Sequence, residues 1–208
     1  TFADLDTWRE VTEQDRDSEW MQPENPKLAD VRAVRASDAS TAAARRGGNL
    51  LPHGEFEGAR IPGEWEPRSE WMANHAQMMT EQDANGTEIT FLRLKAKALY
   101  RTRVVLPEDM QALRMSTRVR VNEIQPGNES WLIFSINPVF RSLSGEKIRS
   151  DWKDFLKFNQ DTDWTEVERV YPLPEGSAIV EIVIAYKATG GTFDVDYVRL
   201  KDTNYEDR

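Results

Sequence analysis

The chain has 208 residues, of which 39% are hydrophobic and 30% charged, and it contains no cysteine. This composition is typical of a soluble globular protein, and it excludes disulfides, thiolate metal sites and thiol nucleophiles. The formal net charge of −9 argues against general affinity for nucleic acid. No apolar run approaches the about 18 residues that cross a bilayer, so we expect neither nucleic acid nor a membrane as a partner.

Residues 1–48 differ in composition from the rest of the chain. Residues 1–30 hold nine acidic and three basic residues, with apolar residues scattered among them. Capping residues and glycines predict short helices at residues 7–14 and shortly before Gly47. We interpret this stretch as an acidic N-terminal arm or linker. It either leads to a catalytic domain that this chain lacks, or folds back across a sheet, where it would block a binding face.

From residue 49 the pattern changes to the period of two that is typical of strands. Seven segments rich in Val, Ile, Thr and aromatic residues are predicted strands: residues 89–95, 99–106, 113–121, 131–136, 164–171, 178–187 and 192–200. Turn signals such as Asn85-Gly86 and Gly190-Gly191 separate them, and a helix is a candidate at residues 151–158. The pattern predicts an all-β fold, an antiparallel sandwich or barrel, for residues 49–202, followed by a tail at 203–208.

Alternation within these strands also predicts which side chains face the core. The inward set is Leu113, Met115, Val119, Val121, Leu132, Phe134, Ile136, Val180, Ile182, Ile184 and Tyr186. The outward set is Arg114, Ser116, Arg118, Arg120, Trp131, Ile133, Ile179, Glu181 and Val183. One outer face is therefore expected to mix arginines with an aromatic side chain.

Five short motifs follow one another in a recognisable order. They read NLLPHGEFE at 49–57, GEW at 63–65, DWTEV at 163–167, LPEGSA at 173–178 and GTFDVDYVRL at 191–200. Together they resemble the jelly-roll carbohydrate-binding modules of families four, sixteen and twenty-two, of the galactose-binding-like type. The closing motif of those modules has two adjacent Asp residues, and Tyr197 stands at the second of these positions here.

The resemblance implies a β-sandwich jelly roll that binds a polysaccharide or oligosaccharide without transforming it. Such a chain would be an ancillary module of a carbohydrate-active enzyme, secreted to the extracellular space or the periplasm. The alternative is a structural or protein-interaction β-sandwich without a sugar site, because the same fold serves both roles.

Aromatic side chains that could stack on a sugar are a first set of candidate site residues. Trp131 has outward parity, and the others are placed in loops at strand ends: Trp71, Phe140 and Trp152. Each could equally be a core residue. Trp65 and Trp164 match conserved positions of the resembled fold, so we assign both to the core.

A structural calcium ion is the expected cofactor. In the resembled modules a Glu of the first strand and an Asp of the last strand hold it, and Glu57 and Asp196 match those positions. Glu55 and Asp194 are neighbours by alternation and could add oxygen ligands, which calcium prefers. The alternative is that these are ordinary solvated carboxylates.

A basic stripe is the third candidate. Residues 93–120 hold eight basic and two acidic residues in a chain of net charge −9. Arg114, Arg118 and Arg120 could bind an anionic glycan, one that carries uronate or sulfate groups. Alternatively they pair across strands with acids of outward parity, namely Glu166, Glu168 and Glu181.

A glycosidase would need two carboxyl groups in contrasting environments across a cleft. The close acid pairs of this chain are Glu55 with Glu57 and Asp194 with Asp196. Both pairs match the metal position of the resembled modules instead. We therefore expect a protein that is not an enzyme.

Overall fold

Two antiparallel sheets pack against each other in the computed structural model, which describes residues 48–83, 85–129, 132–149 and 155–203. Within these residues the chain forms eleven strands and one short helix. Their bounds are β1 Glu66–Pro67, α1 Glu70–Ala73, β2 Ala76–Gln82, β3 Glu88–Leu94, β4 Ala98–Val105, β5 Ala112–Gln125, β6 Phe134–Arg141, β7 Lys147–Arg149, β8 Leu156–Phe158, β9 Thr162–Pro172, β10 Ile179–Tyr186 and β11 Gly190–Asp202. No helix among the described residues is long and apolar enough to cross a membrane.

The strands are divided between two sheets. Sheet A has the order β1-β4-β10-β6-β7, with β8 also paired to β6, and sheet B has the order β2-β3-β11-β5-β9. The last strand in the sequence, β11, therefore lies in the centre of sheet B. The predicted antiparallel β-sandwich is confirmed.

One apolar core fills the space between the sheets. Phe134 of sheet A stacks on Phe193 of sheet B with ring centroids 5.0 Å apart, and Trp65 is buried in the same cluster, as predicted. All predicted inward side chains except Leu132 belong to this cluster. Leu132 is half-buried just before β6. Alternation identified the core side of the strands, but the central strands β6 and β10 of sheet A are buried on both faces, so four residues of the outward set are buried as well: Ile133, Ile179, Glu181 and Val183.

Most predicted strands are confirmed, three predicted regions differ, and β1, β2 and β7 were not predicted. Residues 49–57, matched above to a first strand, form turns, with positive φ angles at His53 and Phe56. The candidate helix at residues 151–158 is wrong for the part that the structure describes, because Leu156–Phe158 pairs with β6 as strand β8. The strand predicted at 131–136 runs instead from Phe134 to Arg141.

Several predictions fall on residues outside the described ranges. These are the arm with its two short helices up to residue 47, the tail from residue 204, and the two aromatic candidates Trp131 and Trp152.

Candidate functional site

The outer face of sheet B carries arginines that are bound to buried carboxylates. The side chain of Asp194 is 0% exposed and accepts hydrogen bonds from Arg93 Nε and Nη2, both at 2.7 Å. It also accepts from Arg120 Nε at 2.9 Å and Nη2 at 2.8 Å. The register explains this, because Asp194 lies opposite Arg93 on β3 and Arg120 on β5. Both guanidinium groups are therefore bound by Asp194 within the protein.

Trp164 completes this outer layer and does not lie in the core. Its Nε1 donates to Glu81 Oε1 at 3.0 Å, and its ring packs edge-on against Phe91 with centroids 5.2 Å apart. The guanidinium carbons of Arg118 and Arg120 lie 5.1 and 4.6 Å from the ring centroid. The prediction that Trp164 is a core residue is wrong. Val167 packs on the interior, and Trp164 lies an odd number of residues before it on the same strand, so its side chain points outward. With two cations against it, the ring is not an open sugar platform.

The predicted basic stripe is outward, but acids accompany it. Arg114 Nη1 lies 3.4 Å from Glu168 Oε1, and Arg118 Nη1 donates to Asp196 Oδ2 at 3.0 Å. The alternative of cross-strand pairing is therefore confirmed for Glu168, and also for Glu181, which binds Arg103 of the same stripe on the opposite strand. Glu166 is instead hydrogen-bonded to Tyr197, and burial together with that bond raises the pKa of the tyrosine.

Two of the carboxylates expected to hold calcium are bound by arginines. Glu55 accepts hydrogen bonds from Arg199, Asp196 accepts one from Arg118, and Glu57 is exposed. No three Asp, Glu, His or Cys side chains of the described ranges form a group that could hold a metal. As they stand, these side chains do not fit a calcium ion, and calcium stays a prediction.

The described aromatic candidates have opposite environments. Trp71 in α1 is 56% exposed and meets His75 edge-on at a centroid distance of 4.4 Å, so it offers an open ring face. Phe140 is 5% exposed and packs in the core. Its predicted loop position is wrong because β6 continues to Arg141, and the parity of Phe134 and Ile136 carries Phe140 inward.

The outer face of sheet A was not identified from the sequence as a site. We call it the sheet A face and define it by the outward side chains of three central strands: Arg101 and Arg103 of β4, Asn137, Val139 and Arg141 of β6, and Glu181, Val183 and Ala185 of β10. Val139, Val183 and Ala185 form a second apolar cluster here, with Leu99 packed against it.

Glu181 is the carboxylate at the centre of the sheet A face. Arg103 Nε donates to its Oε2 at 2.6 Å and Arg141 Nη2 to its Oε1 at 3.1 Å. Burial acts to raise the pKa of Glu181, but the two arginines outweigh it and hold that pKa below its ordinary value of 4.5.

One cross-strand row of the sheet A face has polar atoms without partners. Val183 lies opposite Arg101 on one side and Asn137 on the other. Asn137 Oδ1 and Arg101 Nε are both buried and have no hydrogen-bond partner. A buried unpaired polar atom costs about 1–3 kcal/mol, and Arg141 Nε of the same face is in the same state.

Part of this row was visible in the sequence. Val183 had the outward parity, and Arg101 belongs to the basic stripe. Asn137 was missed because the predicted strand ended at Ile136, and Pro138 is a residue that strand interiors usually exclude.

We expect the free energy of unfolding to fall as the pH drops below about 4.5. Hydrogen bonds from Arg120 lower the pKa of Glu81, and those from Arg103 and Arg141 lower that of Glu181. Since both pKa values are lower in the folded chain, the unfolded chain binds more protons as the pH falls through this range. Urea unfolding from about pH 6 to about pH 3 measures the loss, and Glu181→Gln should show a shallower pH dependence than the unmodified chain.

Comparison with known proteins identifies the fold. No protein-family model matches the chain, and no curated protein matches it. Among solved structures, a family 16 carbohydrate-binding module is 18% identical, covers 73% of this chain and 99% of its own, and superposes with a TM-score of 0.52. A family 4 module is 10% identical, with 73% of this chain and 98% of its own covered and a TM-score of 0.47.

A larger protein also contains the fold. The enzymatically active domain of tailspike protein 4 from bacteriophage CBA120 is 12% identical over 74% of this chain, with a TM-score of 0.51. The match spans 21% of that tailspike chain. The chain therefore has the jelly-roll fold of carbohydrate-binding modules, which confirms the fold that the sequence motifs implied.

Proposed function

We propose that the chain binds a polysaccharide or oligosaccharide on the sheet A face without transforming it. The observation that carries the proposal is the row of Asn137, Val183 and Arg101, in which a buried acceptor and a buried donor lack partners. Neighbouring strands are about 4.8 Å apart, so the two outer residues are separated by roughly two strand spacings. A sugar ring matches this span, with its C–H face toward Val183 and its hydroxyl groups on either side. Because Asn137 and Val183 are each 7% exposed, binding requires the side chains that cover the row to move aside.

The charges of the same face favour an anionic glycan, one with uronate or sulfate groups. Three arginines face one carboxylate, Glu181, within a chain of net charge −9. Arg103 and Arg141 are bound to Glu181, whereas the contact of Arg101 Nη2 with Glu66 is long, at 3.9 Å. Arg101 is therefore the arginine best placed to receive a ligand anion, in the forked geometry that suits carboxylate and sulfate.

A binding role without catalysis is supported by the state of the acidic residues. Glu55, Asp194 and Asp196 each accept hydrogen bonds from an arginine. Glycoside hydrolysis needs a protonated acid beside an ionised carboxylate that is free to act on the substrate. Burial raises the pKa of Asp196, but the carboxylates of Glu55 and Asp194 are both occupied by arginines. The natural setting is then an ancillary module, joined to a catalytic domain outside this chain and working in the extracellular space or the periplasm.

A structural or protein-interaction sandwich is the second candidate, and the burial of the sheet A face favours it. Val139, Val183 and Ala185 point away from the core yet are 8%, 7% and 1% exposed. Because other side chains of this chain already cover these residues, the face resembles a second interior layer more than an open surface, which favours a structural role.

Affinity electrophoresis through gels that contain neutral, uronate-rich or sulfated polysaccharides tests the proposal. We expect retardation on at least one anionic polymer. Asn137→Leu keeps the side-chain volume but removes the acceptor, and it should weaken binding about 5-fold to 10-fold, the value of one hydrogen bond. Arg101→Ala should weaken it at least as much, and binding should decline as salt is added.

Matched controls are available on the same chain. Asn159→Leu and Arg60→Ala alter exposed residues away from the row and should bind like the unmodified chain. Retardation on neutral polymers alone, insensitive to salt, would contradict the anionic ligand. The structural candidate is favoured instead when no polymer retards the chain.

A further inference from the structure

The segment that precedes β1 is joined to the last strand by side chains and backbone together. β3 pairs with β11 at Phe193–Val195, and beyond this point the segment 49–55 lies beside β11. Leu50 N donates to Leu200 O and Val198 N donates to Gly54 O, both at 2.7 Å. These two hydrogen bonds extend the pairing along the same edge of β11, beyond the residues that pair with β3.

Asn49 uses both ends of its amide at this junction. Its Oδ1 accepts from the backbone nitrogens of Leu51 at 3.0 Å and Leu200 at 2.8 Å. Its Nδ2 lies 3.3 Å from both Val198 O and Glu55 Oε1. One side chain thus binds the segment, the strand and the carboxylate next to it.

The carboxylate of Glu55 is held by Arg199 of β11. Arg199 Nε lies 2.9 Å from Oε1, and Nη2 lies 2.8 Å from Oε2, so the pair is bidentate. The guanidinium carbon of Arg199 also lies 3.9 Å from the ring centroid of Tyr197. A forked pair stacked on an aromatic ring has a fixed position.

We infer that the clasp of Asn49, Glu55 and Arg199 joins the start of the sandwich to its last strand in place of a metal ion, and that folding needs no calcium. The guanidinium group of Arg199 lies next to the carboxylate of Glu55. It supplies the positive charge that a divalent cation would supply in a metal site. Calcium takes six to eight oxygen ligands, but Glu55 and Asp196 both have arginine partners. The resemblance places calcium at Glu57 and Asp196, whereas the contact between segment 49–55 and β11 is made by Glu55 and Arg199.

Thermal unfolding followed by circular dichroism tests this inference on the full chain without any glycan. We expect the Tm to be equal, within about 1 °C, in excess calcium and in excess EDTA, because a ligand that does not bind the folded chain cannot shift its Tm. Glu55→Gln should lower the Tm by about 3 °C or more, and Arg199→Ala should do the same. In the double variant the two losses should not add, because they remove one interaction.

Glu57→Gln is the matched variant that separates the two explanations. It changes the exposed Glu that a calcium site would use, and the clasp predicts no change in Tm. The inference is overturned if calcium raises the Tm by more than about 2 °C, if EDTA lowers it by that amount, or if Glu57→Gln destabilises as much as Glu55→Gln. These outcomes are independent of polysaccharide binding, which is measured separately.

Discussion

Replacing Asp194 with Asn should lower the free energy of unfolding by about 3–5 kcal/mol. The variant keeps the shape of the side chain but removes a fully buried charge, so Arg93 and Arg120 lose the carboxylate between them. Glu81 remains as a hydrogen-bonded partner of Arg120, whereas Arg93 keeps only its weaker electrostatic interaction with Glu81. Urea unfolding at neutral pH measures the difference.

Asp109→Asn provides the control for this variant. It removes the same charge at an exposed position after β4, where a change within about 0.5 kcal/mol is expected. A loss below about 1 kcal/mol in Asp194→Asn would mean that the arginines find water or other acids at little cost, and that the sheet B network adds little stability.

Replacing Gly54 with Ala should destabilise the chain by about 2–3 kcal/mol through overpacking. A Cβ at this position would lie 2.1 Å from Val198 O and 3.0 Å from Asn49 Nδ2. Since Val198 N also donates to Gly54 O, the backbone cannot retreat without breaking that bond. Differential scanning calorimetry of the variant gives the change in Tm and enthalpy.

Gly63→Ala is the matched substitution, because an added Cβ there meets nothing within 4 Å. It should leave the Tm unchanged or raise it slightly through a smaller unfolded-state entropy. Equal effects of the two substitutions would refute the close approach of residues 49–55 to β11.

Strand positions and inward faces could be predicted because they depend on local alternation. β10, Ile179–Tyr186, was expected at 178–187 and buries the predicted side chains. β2, Ala76–Gln82, was missed because it holds two Met and one β-branched residue. Its strand form follows from pairing with β3, which a local pattern does not contain.

Most partners of the site residues could not be predicted, because they depend on strand order. Arg93 and Asp194 are 101 residues apart in the sequence and meet because β11 lies beside β3. Alternation correctly placed Arg114, Arg118 and Arg120 on the outside and named Glu168 as a partner. Without the order β3-β11-β5-β9, Asp194 and Asp196 of β11 were not identified as the acids that bind Arg120 and Arg118. The core assignment of Trp164 failed because it followed a motif rather than the parity of its own strand.

The central place of β11 in sheet B has a consequence for how the protein is made. Ribosomes synthesise the chain from its N-terminus, so β3 and β5 emerge long before β11, the strand that lies between them. Asn49 is synthesised long before its partner Leu200, which lies 151 residues further along the sequence. Contacts of such long range slow folding. Until β11 arrives, both neighbours expose an unpaired edge that can pair with another nascent chain. Production of this domain should therefore depend on chaperones and temperature more than its final stability suggests.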